Sequence, residues 1–175
     1  MITASDRLIL RHHRPEDTSS IFENYTRDLG SARYLARLPH FSIEQTERML
    51  QTLSSPQSLA LVGKCIWVIE TVKDGSAVGL VTIVESDEAM EIHFGIGVPF
   101  RGHGHGAEAL ALAAQYLLET GQAKSISSFT DVDNVAAQRA LAKSGFVFIE
   151  RADNVYQAPQ LDGEYRDVYR YQFRI

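Results

Sequence analysis

The sequence predicts an α+β domain with a mixed, mainly antiparallel β-sheet and helices on both faces. Two observations favour this fold class. The first half of the chain contains three β-rich runs joined by short polar turns, whereas the second half alternates strands with helical stretches. In addition, 175 residues suffice for one hydrophobic core, and no repeat, linker or change of composition divides them. We therefore expect a single domain over residues 1–175.

Composition and charge narrow the classes of function. Hydrophobic residues make up 45% and charged residues 22% of the chain, which is typical of a globular protein. A net charge of −5 argues against nucleic-acid binding and favours a cationic or amine-bearing partner. Cys65 is the only cysteine, no apolar run is long enough to span a membrane, and residues 1–7 lack the apolar part of a signal peptide. These features predict a cytoplasmic protein with no membrane partner.

The first elements are a strand and two helices. Residues 8–10 form a short apolar run that predicts a strand. Pro15 and the two acidic residues after it suit the first turn of a helix. Ser42 and Gln45 have the spacing of a capping box, so we expect the next helix to continue from there to about Leu53.

The meander consists of strands at residues 65–71, 78–85 and 90–98. The turn at residues 73–76 contains Asp-Gly, which favours a β-hairpin, and residues 86–88 form a second polar turn. Strands joined by such short turns pair in antiparallel fashion.

The second half alternates helices and strands. An apolar stripe predicts a helix from about Ala107 to Gly121, and polar caps at residues 133–134 predict a shorter helix that ends near Gly145. The remaining strands are expected at residues 125–130, 146–149 and 168–173.

The segment Arg-Gly-His-Gly-His-Gly at residues 101–106 joins the last meander strand to the long helix. Glycines let the backbone come close to a ligand, and the first amides of a helix have no partner within that helix. The helix dipole and the guanidinium of Arg101 add positive charge at the same place. Together these features predict a site for a pyrophosphate.

Glycine-rich turns of two further kinds match this segment less well. A P-loop requires a lysine after the last glycine, and this chain has Ala107 there. Residues 104–109 match the loose Gly-x-Gly-x-x-Ala pattern of a dinucleotide-binding fold, with Asp131 or Asp133 as the acid that binds ribose. That fold, however, opens with parallel βαβ units rather than an antiparallel meander. A purely structural turn does not account well for three alternating glycines.

Residues 101–106 resemble the R/Q-x-x-G-x-G/A signature of the GNAT acetyltransferase superfamily, whose members bind the pyrophosphate of acetyl-CoA at this turn. Asn134 and residues 140–146 resemble a second region of that family. Residues 7–11 and 162–168 resemble the branch of ribosomal-protein alanine N-acetyltransferases of the RimJ/RimL type. The resemblance implies acetyl-CoA as cosubstrate, a primary amine as acceptor (a protein N-terminus or a small amine), direct attack of that amine, and a sheet whose central strand pair splays apart.

The resemblance also implies which residues bind the cofactor. The strand before the glycine turn would offer backbone groups to the pantetheine and acetyl carbonyls, and Asn134 would contact the pantetheine arm. The expected cofactor-binding residues are Phe94, Gly95, Ile96, Arg101, Gly102, His103, Gly104, His105, Gly106, Ala107 and Asn134. No metal site is expected, because His103 and His105 have no third ligand at metal-binding spacing.

Two residues are candidates for the base that takes a proton from the amine. Glu91 lies five residues before Ile96, where the branch often has a glutamate. His93 lies on the same strand face and could act directly or through water. The choice between Glu91 and His93 stays open.

The acid that protonates the leaving thiolate is not assigned by the sequence. The family's serine and tyrosine positions are Ala137 and Leu141 in this chain, which leaves Tyr156, Tyr165 and bound water as candidates. A non-catalytic acyl-CoA-binding or regulatory module is therefore the alternative function. The expected substrate loops are residues 27–41 and 151–164, and their sequences do not indicate which amine is the acceptor. The last strand could close the sheet or pair across a homodimer.

Overall fold

Eight strands and six helices make up the described part of this computed structural model, residues 1–86 and 89–174. The strands are β1 (Thr3–Ala4), β2 (Leu8–Arg11), β3 (Lys64–Thr71), β4 (Ala77–Glu85), β5 (Met90–Ile96), β6 (Ile126–Asp131), β7 (Phe146–Gln157) and β8 (Tyr165–Phe173). The helices are α1 (Asp17–Ile21), α2 (Leu29–Ala32), α3 (Ile43–Leu53), α4 (Ser58–Val62), α5 (His105–Glu119) and α6 (Val135–Lys143). A π-helical turn, Phe22–Thr26, follows α1, and a 3₁₀ turn, Val98–Phe100, precedes α5.

The strands form one sheet in the order β1-β2-β3-β4-β5-β6-β8-β7. Every neighbouring pair is antiparallel except β5 and β6, which are parallel. These two central strands pair only at Met90 with Ile126 and at Glu91 with Ser127, and then diverge. The predicted mixed, mainly antiparallel sheet with a splayed central pair is confirmed.

Alternating side chains of β3 enter two separate hydrophobic cores. Cys65, Trp67 and Ile69 pack with the apolar side of α5, whereas Ile66 and Val68 pack with residues of α1 and α3. A strand covered on both faces reads as a continuous apolar run, which explains the sequence of β3. The helices predicted on both faces of the sheet are thus confirmed.

The helix caps follow from local sequence. The Oε1 atom of Gln45 accepts from the backbone N–H groups of Phe41 at 2.6 Å and Ser42 at 3.4 Å, as expected for the start of α3. The Oδ1 atom of Asn134 accepts from the N–H of Ala137 at 3.2 Å and caps α6.

The structure differs from the sequence prediction in several elements. The two-residue β1 and the short helices α2 and α4 are additional, β8 begins at Tyr165 instead of residue 168, and β7 continues to Gln157 instead of ending at residue 149. Residues 151–157 of the expected substrate loop therefore lie in an edge strand. The sequence predicts a loop there because both sides of this strand are largely exposed, so apolar and polar residues do not alternate. Of the turn predicted at residues 86–88, Asp87 and Glu88 lie outside the described residues.

No helix in the described part of the chain combines the length and the apolar character needed to cross a membrane.

Candidate active site

The N-terminus of α5 is built by two glycines with left-handed backbone. Gly102 has φ 83° and Gly104, the N-cap residue, has φ 80°. The first bond of the helix runs from the N–H of Glu108 to the carbonyl of Gly104 at 3.1 Å. The three preceding N–H groups, those of residues 105–107, therefore have no acceptor within the helix and are available to a ligand.

Close packing brings this helix end against β5. A Cβ atom on Gly106 would lie 2.4 Å from the ring of Phe94, so glycine is required for the approach. On the other face of β5, a Cβ atom on Gly95 would lie 2.1 Å from the ring of Tyr25. The two glycines allow β5 to be enclosed between α5 and the segment that carries Tyr25.

The open edge of β5 offers backbone groups to a ligand. The N–H of Gly97 donates to the carbonyl of Val78 at 2.9 Å, and the register with β4 continues without a shift toward Met90. Along a strand, the N–H and C=O groups of one residue point to one side, and those of the next residue point to the other. The N–H and C=O groups of Phe94 and Ile96 therefore face away from β4, toward the gap beside β6, whereas those of Gly95 face Leu80.

A cleft of about 500 Å³ lies between the open edge of β5, the N-terminus of α5 and one side of α6. Ten of the eleven residues predicted to bind the cofactor line it, namely Phe94, Gly95, Ile96, Arg101, Gly102, Gly104, His105, Gly106, Ala107 and Asn134. His103 does not line the cleft. Its ring is exposed and stacks on His105 with 5.6 Å between the ring centres.

Arg101 is held by three groups at the mouth of this cleft. Its Nε donates to the carbonyl of Ile96 at 3.1 Å, and its Nη2 donates to Oγ of Ser31 at 2.6 Å. The carboxylate of Asp28 lies 3.9 Å from Nη2. Arg101 therefore fixes the last residue of β5 to the segment around α2.

Sequence reasoning missed the two cations of α6, Arg139 and Lys143, which also line the cleft. They lie with Ala136 and Ala140 on one stripe at spacings of i, i+3, i+4 and i+7. This spacing is visible in the sequence and could have indicated a phosphate-binding helix face, because the small residues leave room for a ligand and the cations bind phosphate.

A second cavity of about 360 Å³ adjoins the cleft. Six residues border both spaces, namely Tyr25, Tyr34, Leu35, Phe94, Asn134 and Ala137. The shared residues make the two spaces one continuous site. Tyr34 lies within the substrate loop expected at residues 27–41. Sequence reasoning missed Tyr25, because an isolated tyrosine in a helical segment carries no local signal of a site.

The two candidate bases occupy different positions relative to the second cavity. His93 lines it, and its ring packs edge-on against Phe129 with 4.8 Å between the centres. Glu91 lines neither space, but its Oε1 lies 2.7 Å from Nε2 of His93. The carboxylate thus occupies one nitrogen of the imidazole and leaves Nδ1 for other partners.

A buried carboxylate closes the far wall of this cavity. The carboxylate of Asp131 accepts two hydrogen bonds of 2.9 Å from Arg166, one of 2.7 Å from the hydroxyl of Tyr156, and one of 2.8 Å from the N–H of Asp133. Burial acts to raise the pKa of Asp131, but these hydrogen bonds outweigh it and the pKa is lowered. Burial and the Asp131 carboxylate raise the pKa of Tyr156, so its hydroxyl stays protonated.

The other tyrosine candidate and the cysteine lie elsewhere. Tyr165 is exposed and lines neither space. Burial raises the pKa of Cys65 to about 11, so this residue is a thiol rather than a nucleophilic thiolate. Within residues 1–86 and 89–174, no group of three His, Cys, Asp or Glu side chains is arranged to hold a metal ion.

Solved structures resemble this fold over nearly their whole length. An acetyltransferase of the GNAT family from Bacillus anthracis is 17% identical, with 98% of this chain and 96% of that chain covered and a TM-score of 0.83. Spermidine N-acetyltransferase from Vibrio cholerae, in complex with CoA and spermine, is 19% identical, with coverage of 97% and 96% and a TM-score of 0.77. An acetyl transferase from Salmonella typhimurium that modifies the N-terminal serine of 50S ribosomal subunit protein L7/L12 is 16% identical, with coverage of 98% and 96% and a TM-score of 0.81.

At such identities the likeness shows a shared fold. No curated protein sequence matches this chain at a significant level.

The family is shown by the sequence match to a family model. The model of the acetyltransferase (GNAT) domain matches residues 7–147, a stretch that includes β5, the glycine turn and Asn134. The family resemblance seen in residues 101–106 is thereby confirmed, and the chain belongs to the GNAT acetyltransferase domain family.

Proposed function

We propose that this protein is an acetyl-CoA-dependent N-acetyltransferase that transfers acetyl to a primary amine by direct attack. The observation that carries the proposal is the junction of two spaces at the splayed end of β5. One space ends at the free amides of α5, and the other ends at His93. A thioester at the junction would be reached by an amine from the opposite side.

Different parts of the 500 Å³ cleft match different parts of acetyl-CoA. The N–H groups of residues 105–107 would bind the pyrophosphate, helped by the dipole of α5. Arg139 and Lys143 would bind a further phosphate of the cofactor. The N–H and C=O groups of Phe94 and the N–H of Ile96 would pair with the amides of pantetheine. Within residues 1–86 and 89–174, Nδ2 of Asn134 has no acceptor and could also donate to the ligand, since it is Oδ1 that caps α6. The Vibrio cholerae relative was solved with CoA, in keeping with this assignment.

The chemistry needs a proton acceptor beside the amine. The amine nitrogen forms a bond to the thioester carbon, the C–S bond breaks, and the amine gives up a proton while the departing thiolate takes one. We assign proton acceptance to His93, since it borders the second cavity and Glu91 does not. Glu91 would hold the imidazole in place and stabilise its protonated form.

The proton donor for the thiolate is a different group. Tyr25 and Tyr34 are the hydroxyl-bearing residues that border both spaces, so one of them would lie nearest the sulfur. Tyr156 is less suited, because it borders only the second cavity and its hydroxyl already donates to the carboxylate of Asp131.

Relatives show how varied the acceptor amine is in this fold. The Vibrio cholerae structure is a spermidine N-acetyltransferase, and the Salmonella protein modifies the N-terminal serine of a ribosomal protein. For this chain we propose a protein N-terminus or a small primary amine. The free α-amine of a peptide has a reference pKa near 7.7–8.0, so much of it is unprotonated and reactive at neutral pH.

The test is release of free thiol from acetyl-CoA in the presence of a panel of primary amines, with the acetylated product identified by mass spectrometry. We expect turnover with at least one amine and loss of turnover in His93→Ala. Binding of acetyl-CoA without transfer to any amine would instead support a non-catalytic acyl-CoA-binding module.

A further inference from the structure

The cavity beside His93 is bordered by two cations, Arg37 and Lys64. Neither forms an ion pair with a carboxylate within residues 1–86 and 89–174. Nη1 of Arg37 donates to two neutral carbonyls, those of Thr26 at 3.4 Å and Leu38 at 3.0 Å. Its guanidinium also lies over the ring of Tyr25, 5.7 Å from the centre. The charge of Arg37 is therefore positioned without being neutralised.

Lys64 projects from the same face of the sheet as His93. It is the first residue of β3 and pairs with Val84, which in turn pairs with Glu91. Directly paired residues, and residues two apart on one strand, share a face, so Lys64, Glu91 and His93 lie on one side. The two strands are separated by β4, which puts their backbones about 10 Å apart. A lysine side chain can extend over part of that distance, toward a ligand that lies beside His93.

The carboxylate that lines this cavity is already occupied. Oδ1 of Asp131 accepts from Arg166 and from the N–H of Asp133, and Oδ2 accepts from Arg166 and Tyr156. Those four bonds use the lone-pair positions of the carboxylate. Glu91 is engaged by His93. A second ammonium group on the acceptor would thus find two cations and no free carboxylate among the described residues that line the cavity.

We propose that the acceptor carries an anionic group, a carboxylate or phosphate, near its amine, and that Arg37 and Lys64 bind this group while the amine faces His93. This inference rests on the function proposed above. The net charge of −5 attracts cationic acceptors from a distance, but salt screens this attraction beyond about 10 Å. Contacts inside the cavity therefore decide which amine is bound.

Two matched pairs of acceptors test the proposal and distinguish a carboxylate on a peptide from a phosphate on a small molecule. The peptides Ala-Asp-Ala-amide and Ala-Asn-Ala-amide differ in one carboxylate, and O-phosphoethanolamine differs from ethanolamine in one phosphate. Spermidine serves as a cationic acceptor. Each compound is assayed for acetyl transfer and for binding to the CoA-loaded protein, with wild type, Arg37→Gln, Lys64→Gln and the double variant. Lys73→Gln, in the exposed turn after β3, is the control for an equal change of net charge.

We expect the anionic member of one pair to exceed its neutral twin about tenfold in kcat/KM and in affinity, as two charge-assisted contacts would give. The double variant should remove this preference, mainly by raising KM for the anionic acceptor, and Lys73→Gln should retain the preference. A preference in the peptide pair alone would indicate a protein N-terminus, and one in the phosphate pair alone a small metabolite.

The two proposals fail in different ways. Turnover with equal use of both twins, with spermidine preferred, or with an anion preference that survives the double variant would overturn the anionic acceptor and leave the acetyltransferase intact. An anion preference in binding, without acetyl transfer to any amine, would support the anion site and overturn the proposed catalysis. Absence of the preference in both measurements would overturn the anion site outright.

Discussion

Oε1 of Glu91 lies 2.7 Å from Nε2 of His93 on the same face of β5, but His93 alone of the two borders the second cavity. This arrangement gives the two residues unequal roles, because only a group that borders the cavity can take a proton directly from an amine. We therefore propose that Glu91 acts through the imidazole, as a positioning residue.

Substitutions at the pair should therefore differ in size and should not add. We expect His93→Ala to lower kcat by about 100-fold or more, the usual contribution of a general base, and Glu91→Gln to lower it by a smaller factor. The double variant should be no worse than His93→Ala alone, since Glu91 acts only through His93. Steady-state kinetics at saturating acetyl-CoA measure this, with Glu47→Gln on the exposed side of α3 as the control. A larger loss in Glu91→Gln than in His93→Ala would reverse the assignment.

The glycine turn offers a second test, on cofactor binding. Gly104 has φ 80° and Gly163, in the turn before β8, has φ 68°, so valine strains the backbone at both positions. Only Gly104 lies at the cleft. We expect Gly104→Val to abolish CoA binding in a calorimetric titration, whereas Gly163→Val should lose thermal stability but retain CoA affinity. Equal CoA affinity in the two variants would contradict the placement of the pyrophosphate.

The site could be predicted from the sequence only where its chemistry is local. Residues 101–107 form one continuous segment whose glycines and helix start predict an anion site without knowledge of the fold, and all but His103 line the cleft. Tyr25, Tyr34 and Arg37 reach the same site from a segment that packs against β5 only in the folded protein. Tyr34 and Arg37 fall within the substrate loop expected at residues 27–41, but nothing in the sequence around them indicates which side chains contact the site.

The strand β7 shows the same limit for the fold. Its apolar start, Val147, Phe148 and Ile149, is partly exposed on both sides, and its later residues are polar. Pairing with β8 continues to Gln157 and Tyr165 although the side chains provide no alternation. Backbone hydrogen bonds to β8, the next strand along the chain, sustain this strand, and the periodicity of side chains cannot detect them.

The cations of α6 lead to a prediction about cofactor affinity. We expect Arg139→Gln and Lys143→Gln each to weaken CoA binding about three- to tenfold, because partly exposed charges make contacts of modest strength with phosphate. Added salt should reduce the difference from wild type. Lys124→Gln, on the exposed loop after α5, should leave the affinity unchanged.

Comparison of CoA with dephospho-CoA identifies which phosphate the α6 cations bind. If they hold the 3′-phosphate, the variants should lose affinity for CoA but not for dephospho-CoA. Equal losses for both ligands would assign the cations to the pyrophosphate instead. Wild-type affinity for CoA in both variants would show that α6 does not contact a phosphate.

The Asp131 network should determine how the stability of the fold depends on pH. The pKa of Asp131 is lowered in the folded protein, so its contribution is present above the ordinary aspartate value of 3.8 and is lost as pH falls through the folded pKa. The pKa of Tyr156 is raised, so its contribution is present below the ordinary tyrosine value of 10.0 and is lost as pH rises through its folded pKa. Stability should thus decline at both acid and alkaline extremes.

Removal of single partners from this network separates its two parts. Asp131→Asn leaves Arg166 with Asp133 as its remaining carboxylate partner and should cost about 2 kcal/mol of unfolding free energy, with a weaker acid dependence. Tyr156→Phe should cost about 1 kcal/mol and weaken the alkaline decline, to which the raised pKa values of buried Tyr25 and Tyr171 also contribute, while retaining acetyl transfer. Urea unfolding from pH 3 to pH 11 measures both, with the exposed Asp153→Asn as control. Loss of kcat without loss of stability in Tyr156→Phe would instead make this hydroxyl the proton donor to the thiolate.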